Sequence, residues 1–327
     1  MILVVGATGE LGSLVVRRLR EGGRRVRAMV RNPAAAQDLA ATGAELVTAD
    51  LRRPETLDAA LRGVETVVAT ANVVAPAGRG DTSAALDEGY RQLITRADRL
   101  GVHRFVYSSI PVNPLDRTLS VARTKRWVET LLADSDLSYA ALRLGPFTEV
   151  WLDLVGSSLP VRGEQRSLVA RPYGFLRGYR RITGELVERH GVMIVPGPAS
   201  RRHAFISVHD VARLMAAAVD EGTLSGAADI GGPEVLSWSD VAGVFADVLA
   251  RPVRIVSIPA GVCGVLQQTL APVAPAASCL AGLYRLVAGS SSDWDTSAVT
   301  DRMGVRDLRT VEQILREKAA LPGPRGG

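Results

Sequence analysis

The sequence predicts an α/β protein: a doubly wound parallel sheet with a smaller C-terminal lobe. Three observations lead there. Short β-like runs alternate with helical runs through the first half, a glycine-rich turn follows the first run, and the rhythm fades after Pro146. Such alternation implies parallel strands covered by helices on both faces, joined by right-handed crossovers.

The elements follow in order. Ile2 to Val5 is an apolar run short enough for a buried strand, and Glu10 to Arg20 carries the helical period after it. Arg25 to Val30, Glu45 to Val47 and Thr66 to Ala69 are the next strands, separated by helices at Pro33 to Ala41 and Pro54 to Leu61. Proline suits a first helical turn, where its missing N–H has no partner to lose. A long helix covers Ala84 to Leu100, Arg104 to Ser108 is strand five, and Ser138 to Leu144 is strand six. Gly, Pro and Arg become frequent between Gly156 and Arg202. The rhythm returns with a strand at Ala204 to Ser207 and a helix from His209 to Val219. Ser207 with Asp210, and Ser237 with Asp240, are helix start signals, the second opening Val241 to Leu249. Val253 to Ile258 reads as a strand, and Pro322 to Gly327 as a frayed tail.

Composition excludes several classes. With 47% hydrophobic and 22% charged residues the chain is not disordered, and it is long enough to bury a core without disulfides or metals. The 39 basic residues are mixed with 34 acidic ones, and no block of five like charges occurs, which argues against a nucleic-acid partner. Cys263 and Cys279 have no metal spacing and read as free thiols in a reducing cytoplasm. No secretory leader is expected, since Met1 runs straight into a strand. Ala260 to Leu286 is apolar, but Gln267, Gln268, Pro272 and Pro275 interrupt it, so it is expected to be core helices or a pocket wall and not a membrane span. Of the basic residues only Lys125 and Lys318 are lysine; the rest are arginine, the mark of a GC-rich coding background.

The turn after strand one is Gly6-Ala7-Thr8-Gly9-Glu10-Leu11-Gly12. Glycines between a strand and a helix let backbone amides approach a pyrophosphate, whose charge suits the helix N-terminus. The G-x-x-G-x-x-G spacing departs from the common dinucleotide fingerprint and resembles the cofactor loop of the short-chain dehydrogenase/reductase superfamily, in its atypical branch of NmrA-like, NAD(P)H-binding proteins. Asp50-Leu51, Gly101 to Ser109, Leu142 to Phe147, Phe205 to Ala212 and Asp229 to Pro233 resemble later segments of that family. The resemblance implies a Rossmann-type domain over 1–147, with 203–232 returning to it, and a substrate-binding lobe over 148–202 and 233–327. It puts Gly6, Thr8, Gly9, Glu10, Leu11, Gly12, Asp50, Leu51 and Asn72 on the cofactor.

Strand two ends in Met29-Val30-Arg31-Asn32-Pro33, without the carboxylate that would bind a ribose 2′-hydroxyl about 20 positions after the loop. Arg31 matches a 2′-phosphate instead, so NADP(H) is the expected cofactor, with a surface arginine as the alternative. The superfamily carries Tyr-x-x-x-Lys after strand five. Here Lys125 matches the lysine, but the tyrosine position is Val121. Lys125 falls on the apolar stripe Val121, Val128, Leu132, and so faces inward toward a cofactor ribose or snorkels to pair with Glu129. Ser109 is the candidate polariser of a substrate carbonyl. Tyr90, Tyr173, Tyr179 and His203 are other protonatable groups that the sequence does not place. Trp151, Leu152, Leu154, Phe175 and Leu176 suggest either a hydrophobic substrate wall or ordinary core. The arginines from Arg162 to Arg181, Arg171 among them, read as a solvated face, and Lys318 as an unremarkable residue of a charged terminal helix. The expected activity is NADPH-dependent reduction of a small hydrophobic carbonyl, quinone or activated double bond, the alternative being a non-catalytic NADP(H)-binding redox sensor or regulator. The oligomeric state is left open.

Overall fold

The computed structural model describes residues 1–72, 82–167, 169 and 174–321. Tyr173, Arg171 and the tail 322–327 lie outside the described residues, as do the side chains of Phe175 and Leu176. The strands in chain order are β1 (Ile2–Val5), β2 (Val26–Val30), β3 (Glu45–Thr48), β4 (Thr66–Ala69), β5 (Arg104–Ser109), β6 (Ser138–Leu144), β7 (Val192–Pro196), β8 (Arg202–His203), β9 (Gly226–Ile230), β10 (Leu236–Ser237) and β11 (Arg254–Ile258). The helices are α1 (Glu10–Glu21), α2 (Gln37–Ala40), α3 (Leu57–Leu61), α4 (Ser83–Arg99), α5 (Ser120–Ala133), α6 (Thr148–Leu154), α7 (Gly174–Thr183), α8 (Leu186–His190), α9 (Val208–Ala217), α10 (Trp238–Leu249), α11 (Ala260–Leu270), α12 (Pro275–Gly289), α13 (Ser297–Arg302) and α14 (Val311–Ala320).

The chain groups into two compact units. The first is Met1–Leu144, His209–Ile230 and Ser297–Arg306; the second is Gly145–Val208, Gly231–Thr296 and Asp307–Gly327. The first unit holds a seven-stranded sheet in the order β3-β2-β1-β4-β5-β6-β9. Every pairing in it is parallel. All of β1 and all of β5 are buried, as a sheet covered on both faces requires. The strand order reverses between β1 and β4, and a doubly wound sheet binds ligands outside the carboxyl ends of its strands at such a switch point. The core of this unit gathers Leu3, Val5, Leu57, Val67, Tyr90, Leu93, Phe105, Tyr107, Val128 and Leu132.

Some expected elements differ. The helices foreseen from Pro33 and Pro54 each begin as a 3-10 turn, Pro33–Ala36 and Pro54–Thr56, before α2 and α3. The strand expected at Ala204 to Ser207 is not one: Ile206 makes a single bridge to Phe147, and the regular pairing lies one step earlier, where β8 meets β10. An apolar run buries well as irregular chain when its backbone is satisfied, and here Ile206 N donates to Pro146 O at 3.1 Å while Thr148 N donates to Ile206 O at 2.9 Å.

The second unit pairs β7 with β11 in parallel and packs Trp151, Leu152, Leu154, Phe205, Trp238 and Phe245 into its core. Trp151, Leu152 and Leu154 are therefore core side chains. The Ala260 to Leu286 stretch forms α11 and α12, but it is not wholly core: Val262, Val265, Leu266 and Val273 are exposed. Among the described residues no helix is long and apolar enough to cross a membrane. Both cysteines are free, as read, with Cys263 buried and Cys279 half-buried.

Candidate functional site

At the switch point the glycine turn meets the end of β4. Gly6 follows β1 with φ +82°. Gly9 N donates to Gly6 O at 2.9 Å, and Ser13 N donates to Gly9 O at 3.0 Å. Gly9 is the N-cap of α1, whose first N–H groups have no intrahelical acceptors and attract an anion. Neither Gly6 nor Gly12 has room for a side chain. A Cβ on Gly6 would lie 2.7 Å from Ala71 N, and one on Gly12 would lie 2.2 Å from Gly6 O. Both would also meet Thr70 Oγ1 at 2.8 Å, so Thr70, which sequence reading missed, floors the turn from β4. Its hydroxyl donates to Val5 O at 3.1 Å. Leu11 and Glu10 are buried beneath the turn, and Thr8 is half-buried at its rim. A backbone cradle of this shape, closed to side chains and opening on a helix N-terminus, fits a dinucleotide pyrophosphate.

Arg31 leaves the end of β2 exposed. Asp50 leaves the neighbouring β3 and is braced by Arg52, whose Nη2 donates to Asp50 Oδ2 at 2.6 Å. Burial pushes the Asp50 carboxyl up, but hydrogen bonds and charge from Arg52, with the more distant Arg31 charge, outweigh it and leave the pKa below the ordinary value. Leu51 is buried, and α4 packs on it through Gly89, where a Cβ would stand 2.6 Å from Leu51 O.

Lys125 sits on the inner face of α5 and is 3% exposed. Its ammonium donates to Ser108 O at 2.6 Å and lies 4.6 Å above the centroid of the Tyr107 ring. The ring face is electrostatically negative and partly replaces the lost water. Burial, with the Arg126 charge, still lowers its pKa from 10.5 to about 7 against the opposing Glu129. A small cavity lined by Ala71, Asn72, Ser83, Leu86, Val121, Thr124 and Lys125 opens beside it. Val121, where the resembled family carries a tyrosine, thus lines one cavity with Lys125 and Asn72. Tyr90 closes the arrangement from α4: its hydroxyl donates to Ala71 O at 2.7 Å, and its ring meets Tyr107 edge-on.

One alternative and one expectation are corrected here. Lys125 does not pair with Glu129. That carboxylate accepts instead from Ser109 Oγ at 2.5 Å, Arg126 Nη1 at 2.7 Å and Arg143 Nη2 at 2.7 Å. Ser109 is 2% exposed and its hydroxyl is committed to Glu129, so it is not presented to a substrate carbonyl. The partners that capture it, Glu129 and Arg126, come from α5, which no local pattern around Ser109 reveals. Of the other protonatable groups, Tyr90 is held by Ala71 O, and Tyr179 donates to Leu154 O at 2.7 Å. His203 is buried against Phe205 and Trp238, and burial brings its pKa down to about 4, a neutral core imidazole.

The comparisons with known proteins agree with this geometry. Residues 6–156 match the model of a family described as NAD(P)H-binding. An NAD(P)H azoreductase of Xenophilus azovorans is 29% identical over 79% of this chain and 77% of its own length. A photosystem II assembly factor of Cyanophora paradoxa is 33% identical, but the match spans 50% of each chain. Among solved structures, an NADPH-dependent quinone oxidoreductase of Escherichia coli, complexed with NADPH, superposes with a TM-score of 0.72 over 97% of this chain and 99% of its own, at 24% identity, which shows a shared fold.

Proposed function

We propose that this chain, whose residues 6–156 match a family described as NAD(P)H-binding, is an NADPH-dependent reductase of a small hydrophobic carbonyl, quinone or activated double bond, with Lys125 as the proton donor where the resembled family carries a tyrosine. The observation that carries the reading is the buried Lys125 ammonium, brought to a pKa of about 7 beside the cavity that Val121 lines. A group titrating near working pH can both give and regain a proton, which general acid catalysis needs. The azoreductase and quinone oxidoreductase names of its relatives support the same class.

Bound NADPH supplies the hydride. The chain's part is to hold and to protonate. The Gly6–Gly12 turn and the start of α1 hold the pyrophosphate, Arg31 the 2′-phosphate, Asp50 and Leu51 the adenine side, and Asn72 and Lys125 the nicotinamide side. Lys125 Nζ gives its proton to the substrate oxygen as carbon receives the hydride, and regains one from solvent. Ala71, Leu86 and Val121 favour an apolar substrate face. A reducing compartment such as the cytoplasm suits the two free thiols.

NADPH absorbance followed against quinones, azo compounds, aldehydes and enones tests this. Turnover on at least one class is expected, and Lys125→Ala abolishes it. Arg31→Ala weakens NADPH binding roughly 10- to 100-fold, the worth of a charge-assisted hydrogen bond, and leaves NADH binding unchanged. Equal NADH and NADPH affinity in the parent would remove the role of Arg31. A second reading, a non-catalytic NADP(H)-binding regulator or assembly protein, draws on Val121 and on the assembly-factor relative. Tight NADPH binding with silence across the whole panel would select it.

A further inference from the structure

We propose that Glu129 and Arg126 are positioning residues that together set the charge state of Lys125 and fix the strand end to which its ammonium is bound. This deepens the role given to Lys125 and rests on that reading only for its effect on turnover.

The geometry begins one helical turn beyond Lys125. Residues four apart on a helix share a face, so Glu129 faces the same strand end as Lys125. The two grip adjacent residues of β5: Lys125 Nζ holds the Ser108 carbonyl at 2.6 Å, and the Glu129 carboxylate holds the Ser109 hydroxyl at 2.5 Å. Arg126 adds a third grip. Its guanidinium donates to Ser109 Oγ at 3.1 Å and to Ile110 O, and it lies 3.4 Å from Asp116 Oδ2. The chain leaving the carboxyl end of β5 is thereby pinned to α5, at the sheet edge where a doubly wound fold receives its ligands.

The same groups carry unequal charge. One carboxylate, Glu129, is shared by two guanidiniums, Arg126 and Arg143, and its side chain is 9% exposed. Solvent screens such a group weakly, so its charge reaches Lys125. From the other elements, Lys125 faces the Tyr107 ring on β5, which Tyr90 of α4 meets edge-on, while Asp87 of α4 is engaged by Thr124, whose Oγ1 donates to it at 2.5 Å. The two neighbours on α5 itself act in opposite senses: Arg126 disfavours the ammonium and Glu129 favours it.

Opposite senses make the test sharp. The chain has only two lysines, Lys125 and Lys318, so lysine labelled with 13C at Cε gives two resonances, and Lys318→Arg assigns them. The Lys125 midpoint is read by NMR titration of the full chain. Glu129→Gln is expected to lower it by about half a pH unit or more, and Arg126→Met to raise it by a similar amount. Glu129→Asp, which keeps the charge, returns it toward the parent value. Mere loosening of α5 would hydrate Lys125 and raise the midpoint in both variants. Should the helix variants not fold, Asp116→Asn removes a charge from the far side of Arg126 without touching α5, and a downward shift is again expected. No shift, or shifts of the same sign in Glu129→Gln and Arg126→Met, overturns the proposal. If the midpoints move as stated but the pH profile of turnover does not follow them, the acid role of Lys125 fails and the positioning pair stands.

Discussion

A lysine in water loses its proton near 10.5, and burial brings the Lys125 ammonium to about 7. Two consequences of that shift have definite signs. As a proton donor Lys125 works in its charged form, so kcat/KM falls as pH rises through about 7; a profile flat from pH 6 to 9 would contradict the role. For folding, the unfolded chain holds a proton between about 7 and 10.5 that the folded chain has released, so the parent gains stability as pH rises through this window. Lys125→Met removes that gain, which denaturant melts at pH 7 and pH 9 compare directly. The inward stripe of Val121, Val128 and Leu132 announces burial at Lys125, because helical period is a local property. It does not announce the acceptor. Ser108 O and the Tyr107 ring come from a strand, and the partner that local spacing suggests, Glu129, is drawn away by Ser109 and Arg143.

Helix starts divide in the same way. Ser237 and Asp240 form a full capping box on α10: Ser237 Oγ accepts from Asp240 N at 3.1 Å, and Asp240 Oδ2 accepts from Ser237 N at 2.8 Å. Both halves lie within three residues, so the pattern was legible. Ser237→Ala is expected to cost about 1 kcal/mol, seen as a lower midpoint in denaturant with an unchanged slope. At α9 the Ser207 signal marks the right place, but a remote group does much of the capping. Val208 N donates to Glu149 Oε2 at 2.9 Å and Ser207 Oγ donates to Glu149 Oε1 at 2.5 Å. Glu149 is fully buried and some sixty residues away in sequence, beyond any local signature. The turn at Gly6 and Gly12 was readable for the opposite reason: contact with Gly6 O and Thr70 leaves space for hydrogen alone, and the chain records such a demand as glycine.

Across the whole molecule, the arginine bias gives its two exceptions a common character. The sequence places Lys318 in a charged terminal helix, yet it is 7% exposed. Its ammonium donates to Arg162 O at 2.9 Å and pairs with Glu164. Both lysines of the chain therefore bury their charge and donate to a backbone carbonyl, a task for a compact ammonium that a planar guanidinium does not fit equally well. Lys318→Ala removes the ammonium from the Glu164 carboxylate and from Arg162 O and is expected to lower the midpoint of a denaturant melt. The paired change Lys318→Met with Glu164→Leu is expected to recover most of that loss. A single variant as stable as the parent would mean that water reaches the pair.

Pattern along the chain decides the sheet, the glycine turn, the inward face of α5 and the absence of an acid at the end of β2. Each depends on neighbours within a few residues, where backbone geometry and hydrophobic period act. Packing decides the rest. Ser109 belongs to Glu129, Glu149 caps α9, the Ala204 to Ser207 run is not a strand, and the faces of α11 that carry Val262 and Val265 stay outside the core. The competition for a buried carboxylate is settled only when α5, β5 and β6 stand side by side, because hydrogen bonds and desolvation depend on distance in space and not along the chain.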